Sequence, residues 1–387
     1  MSNPFEPGFL TRLPQAPRKV VVLRTNRIGD FLLATPALRA LRAALPGAHF
    51  TFIGLFFLRD LVARSPHLDR FVEFPGFPGM AEQFFDARVA LQFFAAMQEE
   101  RFDLAIQLNG SGVYSNPFAL MLGARWTAGW VRPQEGAGLL QAALPLPESG
   151  HEVDRVMSLP IFLGAPDQGR QTEFPLWQED RDTATELLAA ARVLYPRPAG
   201  RPAKAGATGS LIGVHPGARE MTKRWDPARF AAAAAEIQRR HGGTIVVVGG
   251  AEERELAAQT VAALPADCSV LDLAGRTTLP VLGALVERMS LLLTNDSGPA
   301  HIAYALGTPT VTVFGGTDPC RWGPRGGDEE LPEHLAAAGR PGIALANPVH
   351  CWPCPHWVCP TNRECLAGIS VEAVVDAAER VMSRERV

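Results

Sequence analysis

The feature that most constrains the fold is a regular alternation of short apolar runs, rich in valine, isoleucine and leucine, with segments of helical spacing. This alternation is typical of βαβ units and parallel sheets. It occurs twice in the 387 residues, before and after a stretch rich in Pro, Gly and Ala at 192–210. The chain is also longer than one hydrophobic core usually organises. The sequence therefore predicts two doubly wound α/β domains, joined by a linker and facing each other across a cleft.

The predicted strands are apolar almost throughout, as expected when helices cover both faces of a sheet. They read KVVVL, HFTFIGL, DRFVEF and DLAIQL in the first half, then LIGV, TIVVV, VLDL, LLLT and PTVTV in the second. Ligands of doubly wound sheets bind beyond the carboxyl ends of the strands. We therefore expect the functional residues in the loops that follow these strands. The segment ISVEAVVDAAERVM predicts a C-terminal helix.

Composition argues against several classes of protein. The net charge is −3 and the basic residues are scattered, unlike the basic stripe of a nucleic-acid-binding protein. The first residues lack the apolar stretch of a signal peptide. No window approaches the roughly 18 uninterrupted apolar residues of a membrane-spanning helix. We expect a cytoplasmic protein, with any contact at the inner membrane being peripheral.

The first candidate site is the turn RTNRIGD after the first strand. Gly29 allows the chain to reverse tightly, which places Asp30 at or near a helix start. Asp30 can cap that helix, or it can accept a proton from a substrate hydroxyl. From the residues alone, capping is favoured. The turn lacks G-x-G-x-x-G, which argues against an NAD-dependent oxidoreductase.

Two later loops suit an anionic or hydroxylated ligand. HPGAREMTKRW follows the strand LIGV, and the amides around Gly217 can point at an anion while Lys223 adds a charge suited to a diphosphate. The alternative is that Lys223 is a solvated surface charge. GGAEE follows TIVVV, where one of Glu252 and Glu253 can hydrogen-bond ribose hydroxyls.

The most specific string is NDSGPAH, which follows the strand LLLT. Ser297 is predicted to cap a helix that has Pro299 in its first turn. The exposed amides and the helix dipole then form an anion site suited to a nucleotide diphosphate. His301 lies one turn inside the same helix and can reach the same phosphates, the alternative being a structural histidine.

Over nearly its whole length the sequence resembles glycosyltransferase family 9, whose best-known members are ADP-heptose:lipopolysaccharide heptosyltransferases. The strings that carry the resemblance are VVLRTNRIGDFLLATPALRALRAALPGA, HPG…KRW, GGAEE and NDSGPAHIAYALGTPTVTVFGGTDPCRWGP. The resemblance implies the GT-B fold with two Rossmann-like domains. Residues 1–178 are expected to bind the acceptor. Residues 179–387, with a Cys-rich tail and the C-terminal helix, are expected to bind the nucleotide sugar.

The resemblance also implies an inverting, metal-independent transfer without a cofactor. ADP-heptose is the expected donor, and a lipopolysaccharide-core or related glycolipid is the expected acceptor. Asp30 matches the family's catalytic base, and Arg27 and Gly29 belong to the same acceptor-side loop. The residues assigned to donor binding are Gly217, Lys223, Glu252, Asp296, Ser297, Gly298 and His301. Because Gly217 and Ala218 stand where related heptosyltransferases carry consecutive threonines, the identity of the sugar stays open.

Two other functions remain compatible with this fold. A nucleotide-sugar epimerase or hydrolase would use the same site without a glycolipid acceptor. A catalytically idle module would only bind a nucleotide sugar, but the joint presence of Asp30, Lys223 and His301 argues against it.

Four of the six cysteines are crowded into the tail with the spacing C-x2-C-x4-C-x5-C: Cys351, Cys354, Cys359 and Cys365. They can hold zinc, form disulfides or stay free. Zinc is slightly favoured in a reducing compartment.

Overall fold

The computed structural model describes residues 3–80, 83–194, 210–325, 335–339, 342–354, 356 and 358–383. The chain divides into two compact units, Met1–Pro175 and Leu176–Val387. The predicted linker at 192–210 lies almost entirely outside the described residues.

The first unit contains a six-stranded parallel sheet with the strand order β3-β2-β1-β4-β5-β6. Its strands are β1 (Lys19–Leu23), β2 (His49–Gly54), β3 (Arg70–Glu73), β4 (Leu104–Gln107), β5 (Trp126–Val131) and β6 (Ala142–Pro145). Val20 of β1 pairs with Phe50 of β2 on one side and with Leu104 of β4 on the other. The strand order reverses between β1 and β4. The loops after these two strands therefore open at the topological switch point, where sheets of this kind bind ligands.

Helices cover the first sheet and supply much of its core. They are α1 (Phe9–Arg12), α2 (Ile28–Ala44), α3 (Arg59–Arg64), α4 (Ala87–Glu99), α5 (Ser115–Met121) and α6 (Glu152–Leu163), with a 3₁₀ turn at Phe56–Leu58. Val21, Ile53 and Phe94 belong to one buried apolar cluster that joins the sheet to α4. Burial of these side chains fixes the sheet on which the β1 and β4 loops stand.

The second unit contains a seven-stranded sheet with the order β12-β13-β11-β10-β7-β8-β9. Its strands are β7 (Leu211–His215), β8 (Thr244–Val247), β9 (Val270–Asp272), β10 (Leu291–Asn295), β11 (Thr310–Phe314), β12 (Leu335–Gly339) and β13 (Gly342–Ala346). The β12–β13 pair is antiparallel. His215 of β7 pairs with Thr294 of β10, so the loops after these two strands start side by side at the second switch point.

The helices of the second unit begin and end near the predicted motifs. They are α7 (Gln178–Leu194), α8 (Pro227–His241), α9 (Arg254–Ala262), α10 (Leu279–Glu287), α11 (Gly298–Leu306), α12 (Pro319–Trp322), α13 (Glu364–Ala367) and α14 (Val371–Ser383). Two 3₁₀ turns, Met221–Lys223 and Ala251–Glu253, lie at the ends of loops after β7 and β8. The predicted C-terminal helix is α14, whose Val374 and Val381 are buried in the core.

The predicted α/β class with two doubly wound sheets is confirmed. Strands β5, β6, β12 and β13 were not predicted. The sequence of β5, WTAGWV, is interrupted by glycine and alanine, and β6 has only four residues, so neither reads as a long apolar run. None of the helices in the described ranges combines the length and the apolar character needed to cross a membrane.

Candidate functional site

Asp30 lies in the first turn of α2, at the switch point of the first sheet. Its Oδ2 accepts the backbone N–H of Arg27 at 3.2 Å, so the carboxylate satisfies a helix-start amide as the capping interpretation predicts. Its Oδ1 lies 3.4 Å from Nη2 of Arg24. The side chain keeps 19% of its surface exposed. The Asp30 carboxylate can therefore hold the start of α2 and still be reached by a substrate hydroxyl.

Arg24 is a residue of this site that the sequence analysis did not single out. Its guanidinium is 3% exposed and donates to the carbonyl oxygens of Leu108 at 2.6 Å and Asp30 at 2.8 Å. It also lies 3.9 Å from Oε1 of Glu152. A buried charge is tolerated only with such partners. Arg24 therefore ties the start of α2 to the end of β4 and fixes where Asp30 stands.

A polar cavity of about 260 Å³ opens within the first unit next to this turn. It is lined by Thr25, Asn26, Gly79, Met80, Asn109, Gly110, Ser111, Gly112, Val113, Tyr114, Ser115 and Arg132. Oδ1 of Asn109 accepts the backbone N–H of Thr25 at 2.9 Å, which joins the two loops of the switch point. Arg27 and Gly29, predicted on the acceptor side, do not belong to this lining, and Gly29 is buried in the first turn of α2.

In the second unit, Lys223 and Asp296 meet at the switch point. Nζ of Lys223 donates to Oδ2 of Asp296 at 2.9 Å, and the hydroxyl of Thr317 donates to the same oxygen at 2.6 Å. Burial raises the pKa of Asp296, but the nearby Lys223 and His301, with the Thr317 hydroxyl, outweigh it and hold that pKa below its usual value. Lys223 is 23% exposed and paired, so it is not the solvated surface charge of the alternative interpretation.

Ser297 occupies the N-cap position of α11, but its side chain makes no capping hydrogen bond, so the predicted cap is wrong. Its Oγ lies 3.2 Å from Nδ1 of His215 and 3.2 Å from the carbonyl oxygen of Asn295. Pro299 has no N–H to offer, and the N–H of Ala300 donates to the Ser297 carbonyl at 3.1 Å. The hydroxyl therefore bonds to groups outside its own helix.

Gly298 and His301 both belong to α11, as the motif predicts. His301 is 6% exposed, and its ring meets that of Tyr304 edge to face with centroids 5.8 Å apart. Its Nε2 lies 3.9 Å from Oδ1 of Asp296. The structure therefore places the buried His301 ring beside the Asp296 carboxylate.

Glu253, rather than Glu252, is the glutamate whose carboxylate bonds within this site. Its Oε2 accepts the N–H of Gly250 at 2.7 Å and lies 3.1 Å from Nε2 of His215, while Glu252 is exposed. Burial raises the pKa of Glu253, but the hydrogen bonds from His215 and Gly250 outweigh it and lower that pKa to about 2. A Cβ on residue 217 would overlap the Glu253 carboxylate, so Gly217 makes room for it.

The four clustered cysteines line a small cavity of about 10 Å³ together with Thr222, Gly316, Val349, Trp352 and Thr361. Their thiols are free. Across the part of the chain that the structure describes, no three His, Cys, Asp or Glu side chains are grouped to hold a metal ion. The structure therefore contains no disulfide among these four cysteines. The N–H of Cys354 donates to the Gly316 carbonyl at 2.7 Å, which ties the tail to the loop that carries Thr317.

Comparison with known proteins agrees with this geometry. Residues 90–331 match the family model described as glycosyltransferase family 9 (heptosyltransferase). The chain belongs to glycosyltransferase family 9. The resemblance found in its motif strings is confirmed, and the chain is a member of a family of glycosyltransferases.

The family's curated relatives include several heptosyltransferases. Lipopolysaccharide heptosyltransferase 3 of Escherichia coli is 37% identical over 120 residues, which are 31% of this chain and only 35% of that protein. The chain thus matches about a third of the length of that relative. Lipopolysaccharide core heptosyltransferase OpsX of Haemophilus influenzae is 23% identical over 317 residues, 80% of this chain and 82% of OpsX. Lipopolysaccharide heptosyltransferase 2 of Salmonella typhimurium is 26% identical over 311 residues, 78% of this chain and 84% of that protein.

Solved structures share the fold. A family 9 glycosyltransferase from Veillonella parvula superposes with a TM-score of 0.76 at 23% identity, over 95% of this chain and 98% of that one. ADP-heptose lps heptosyltransferase II of E. coli gives a TM-score of 0.69 at 20% identity, over 95% and 100% of the two chains. The predicted GT-B fold is confirmed by these neighbours.

Proposed function

We propose that this protein transfers a sugar, heptose from ADP-heptose, onto a lipopolysaccharide-core or related glycolipid acceptor. The observation that carries the proposal is the cluster of Lys223, Asp296 and Thr317 beside the start of α11, in a chain of family 9. An ammonium group next to a helix N-terminus suits the phosphates of a nucleoside diphosphate. The solved structure of E. coli heptosyltransferase WaaC with ADP, at a TM-score of 0.66, supports ADP as the nucleotide.

In the proposed reaction, Asp30 accepts the proton of the acceptor hydroxyl as its oxygen attacks the anomeric carbon. The new bond forms on one face of the sugar while the bond to the diphosphate breaks on the other, so the configuration inverts. Arg24, which donates to the Asp30 carbonyl at 2.8 Å, holds the first turn of α2 and thus the position of the base.

The leaving diphosphate gains negative charge in the transition state. Lys223 and the Gly298 N–H at the start of α11 stabilise that charge electrostatically. Asp296 acts on the ligand indirectly, because a buried carboxylate repels phosphate but holds the Lys223 ammonium in place. These fixed groups supply the positive potential that a divalent metal supplies in other transferases, and we propose a metal-independent reaction on that basis.

We assign the acceptor to the first unit and the donor to the second, with Glu252 near the donor's ribose. We further propose that the transfer takes place at the cytoplasmic face of the inner membrane, where a glycolipid acceptor is embedded. Exposed apolar side chains of the first unit support a peripheral contact there, with Phe84 88%, Leu91 69% and Val89 49% exposed.

The experiment that tests the donor site is thermal stabilisation of the full chain by ADP, UDP, GDP, TDP and ADP-heptose, with and without EDTA. We expect ADP and ADP-heptose to raise the melting temperature selectively and EDTA to leave the rise unchanged. A preference for UDP, GDP or TDP would contradict the assignment of ADP-heptose. No rise with any nucleotide would contradict the donor site itself.

A further inference from the structure

Three side chains form a hydrogen-bonded series across the second switch point: Glu253, His215 and Ser297. Oε2 of Glu253 lies 3.1 Å from Nε2 of His215, and Nδ1 of His215 lies 3.2 Å from Oγ of Ser297. His215 is 2% exposed, whereas Ser297 is half-buried and can be reached by a ligand. The series thus runs from a half-buried carboxylate, through a buried imidazole, to the surface on which the donor is proposed to bind.

The carboxylate sets the direction of the hydrogen bonds. Glu253 is ionised at neutral pH and can only accept, so the proton between it and His215 is carried by Nε2. In the neutral imidazole, a proton on Nε2 leaves Nδ1 as an acceptor. With the imidazole in this form, Ser297 can donate to His215 and cannot accept from it.

The second hydroxyl of this cluster, that of Thr294, does not change this result. Its Oγ1 lies 3.2 Å from His215 Nδ1 and 3.1 Å from the carbonyl oxygen of Asn295. Oγ of Ser297 lies 3.2 Å from each of the same two acceptors and 3.4 Å from Oγ1 of Thr294. Each hydroxyl has one hydrogen and two lone pairs, so Ser297 donates to one acceptor while Thr294 donates to the other acceptor or to Ser297 itself. In either arrangement at least one lone pair of Ser297 Oγ remains for a ligand.

We propose that Ser297 accepts a hydrogen bond from a hydroxyl group of the sugar nucleotide, and that Glu253 and His215 are positioning residues that set this polarity. The proposal rests on the proposed function, because it takes a sugar nucleotide as the ligand. A phosphate oxygen is itself an acceptor and makes a poor partner for a hydroxyl whose hydrogen is already used. The phosphates are left to Lys223 and the Gly298 N–H. The hydroxyl belongs either to the ribose or to the transferred sugar.

Calorimetric titration of the full chain and of Ser297→Ala tests the proposal. The probes are ADP, 2′-deoxy-ADP, 3′-deoxy-ADP, ADP-heptose and inorganic pyrophosphate. If a ribose hydroxyl is the donor, the variant loses affinity for ADP by about tenfold and loses none for the analogue that lacks that hydroxyl. If the transferred sugar supplies it, the loss appears with ADP-heptose but not with ADP.

Other outcomes overturn the inference. An equal loss with every probe, pyrophosphate included, would mean that Ser297 donates to phosphate. Unchanged affinity for all probes would mean that it makes no ligand contact. Absence of ADP and ADP-heptose binding by the unmodified chain would instead contradict the proposed function, and the inference with it. A failure of the inference about Ser297 can thus be distinguished from a failure of the proposed function.

The positioning role has its own readout. In ¹⁵N-histidine-labelled protein, the His215 imidazole is expected in the Nε2–H tautomer, assigned with His215→Asn. Glu253→Gln is expected to change this tautomer population and to reproduce the ligand-selective loss of Ser297→Ala. Gly217→Ala is expected to act in the same way, because a Cβ there displaces the Glu253 carboxylate.

The control for Glu253→Gln is Glu255→Gln, which removes one exposed negative charge nearby. An Nδ1–H tautomer, or normal ligand selectivity in folded Glu253→Gln, would overturn the role.

Discussion

Lys223 and Asp296 form an ion pair with Nζ and Oδ2 2.9 Å apart, although 73 positions separate them in the sequence. One residue follows β7 and the other follows β10, and the switch point of the sheet brings them together. The carboxylate, 5% exposed, also accepts from Thr317. The buried Asp296 thus holds the ammonium of Lys223 at the surface where we propose that the phosphates bind.

Replacing Lys223 tests this arrangement. In Lys223→Met, Asp296 loses its cation and the proposed diphosphate loses its point charge. We expect ADP affinity to fall by about tenfold and kcat to fall by about 10². Calorimetry with ADP and steady-state kinetics measure the two effects. Lys19→Met is the matched control, since that lysine is 53% exposed in the other unit. Normal ADP affinity in Lys223→Met would contradict the phosphate role.

Asp30→Asn separates catalysis from donor binding. The amide keeps the size of the side chain but is a very weak base, so we expect kcat to fall by about 10² to 10⁴. ADP affinity should change by less than about twofold, because we assign the donor to the second unit. Steady-state kinetics and calorimetry on the same preparation provide both numbers. Near-normal turnover would show that Asp30 is only the helix-start partner of Arg27.

Arg24→Met tests how the base is held. The substitution removes the buried guanidinium beside Asp30, while Glu152 keeps its ion pair with the buried Arg155, and we expect a cost of about 3 kcal/mol of unfolding free energy. Urea unfolding measures that cost. Arg59→Met is the comparison, because its ion pair with Glu73 is at the surface, where such pairs contribute at most about 1 kcal/mol. Equal effects of the two variants would contradict the buried role of Arg24.

Stability should also depend on pH through Glu253. Its pKa is lowered from 4.5 to about 2 in the folded chain, so it stabilises the fold fully above the unfolded value. That contribution, about 3 kcal/mol, is lost as pH falls from about 5 to about 2. Urea unfolding across this window should show a steeper decline for the unmodified chain than for Glu253→Gln, with Glu255→Gln behaving as the unmodified chain. Equally steep declines in the unmodified chain and in Glu253→Gln would contradict a lowered pKa at Glu253.

The sequence predicts most strands of the two parallel sheets, because strands buried on both faces must be apolar. Runs such as KVVVL and LLLT meet this requirement. The positions of the candidate residues follow from these strands, because the residues lie in the loops directly after them. Strand β5 could not be predicted in this way. Its sequence alternates small residues with Trp126 and Trp130, and the packing of these side chains depends on tertiary structure.

Partners within the site could not be predicted from local rules. Ser297 has the identity and position of a cap, yet His215 and the Asn295 carbonyl compete for its hydroxyl. Glu252 and Glu253 are adjacent and alike, and the choice between them depends on His215, 38 positions away. Arg24 reads as an ordinary turn residue until β4 brings the Leu108 carbonyl to it. In each of these three cases, the hydrogen-bond partners include a residue that is distant in the sequence.

The central claim, transfer of a sugar to a glycolipid, is tested most directly by incubating the full chain with ADP-heptose and a lipopolysaccharide core acceptor that lacks heptose. Mass spectrometry of the acceptor and an assay for released ADP are followed together, with Asp30→Asn as the control. We predict that the acceptor gains one heptosyl residue for each ADP released, and that release requires the acceptor. Release of ADP without acceptor, or no mass gain with ADP-heptose bound, would contradict the account.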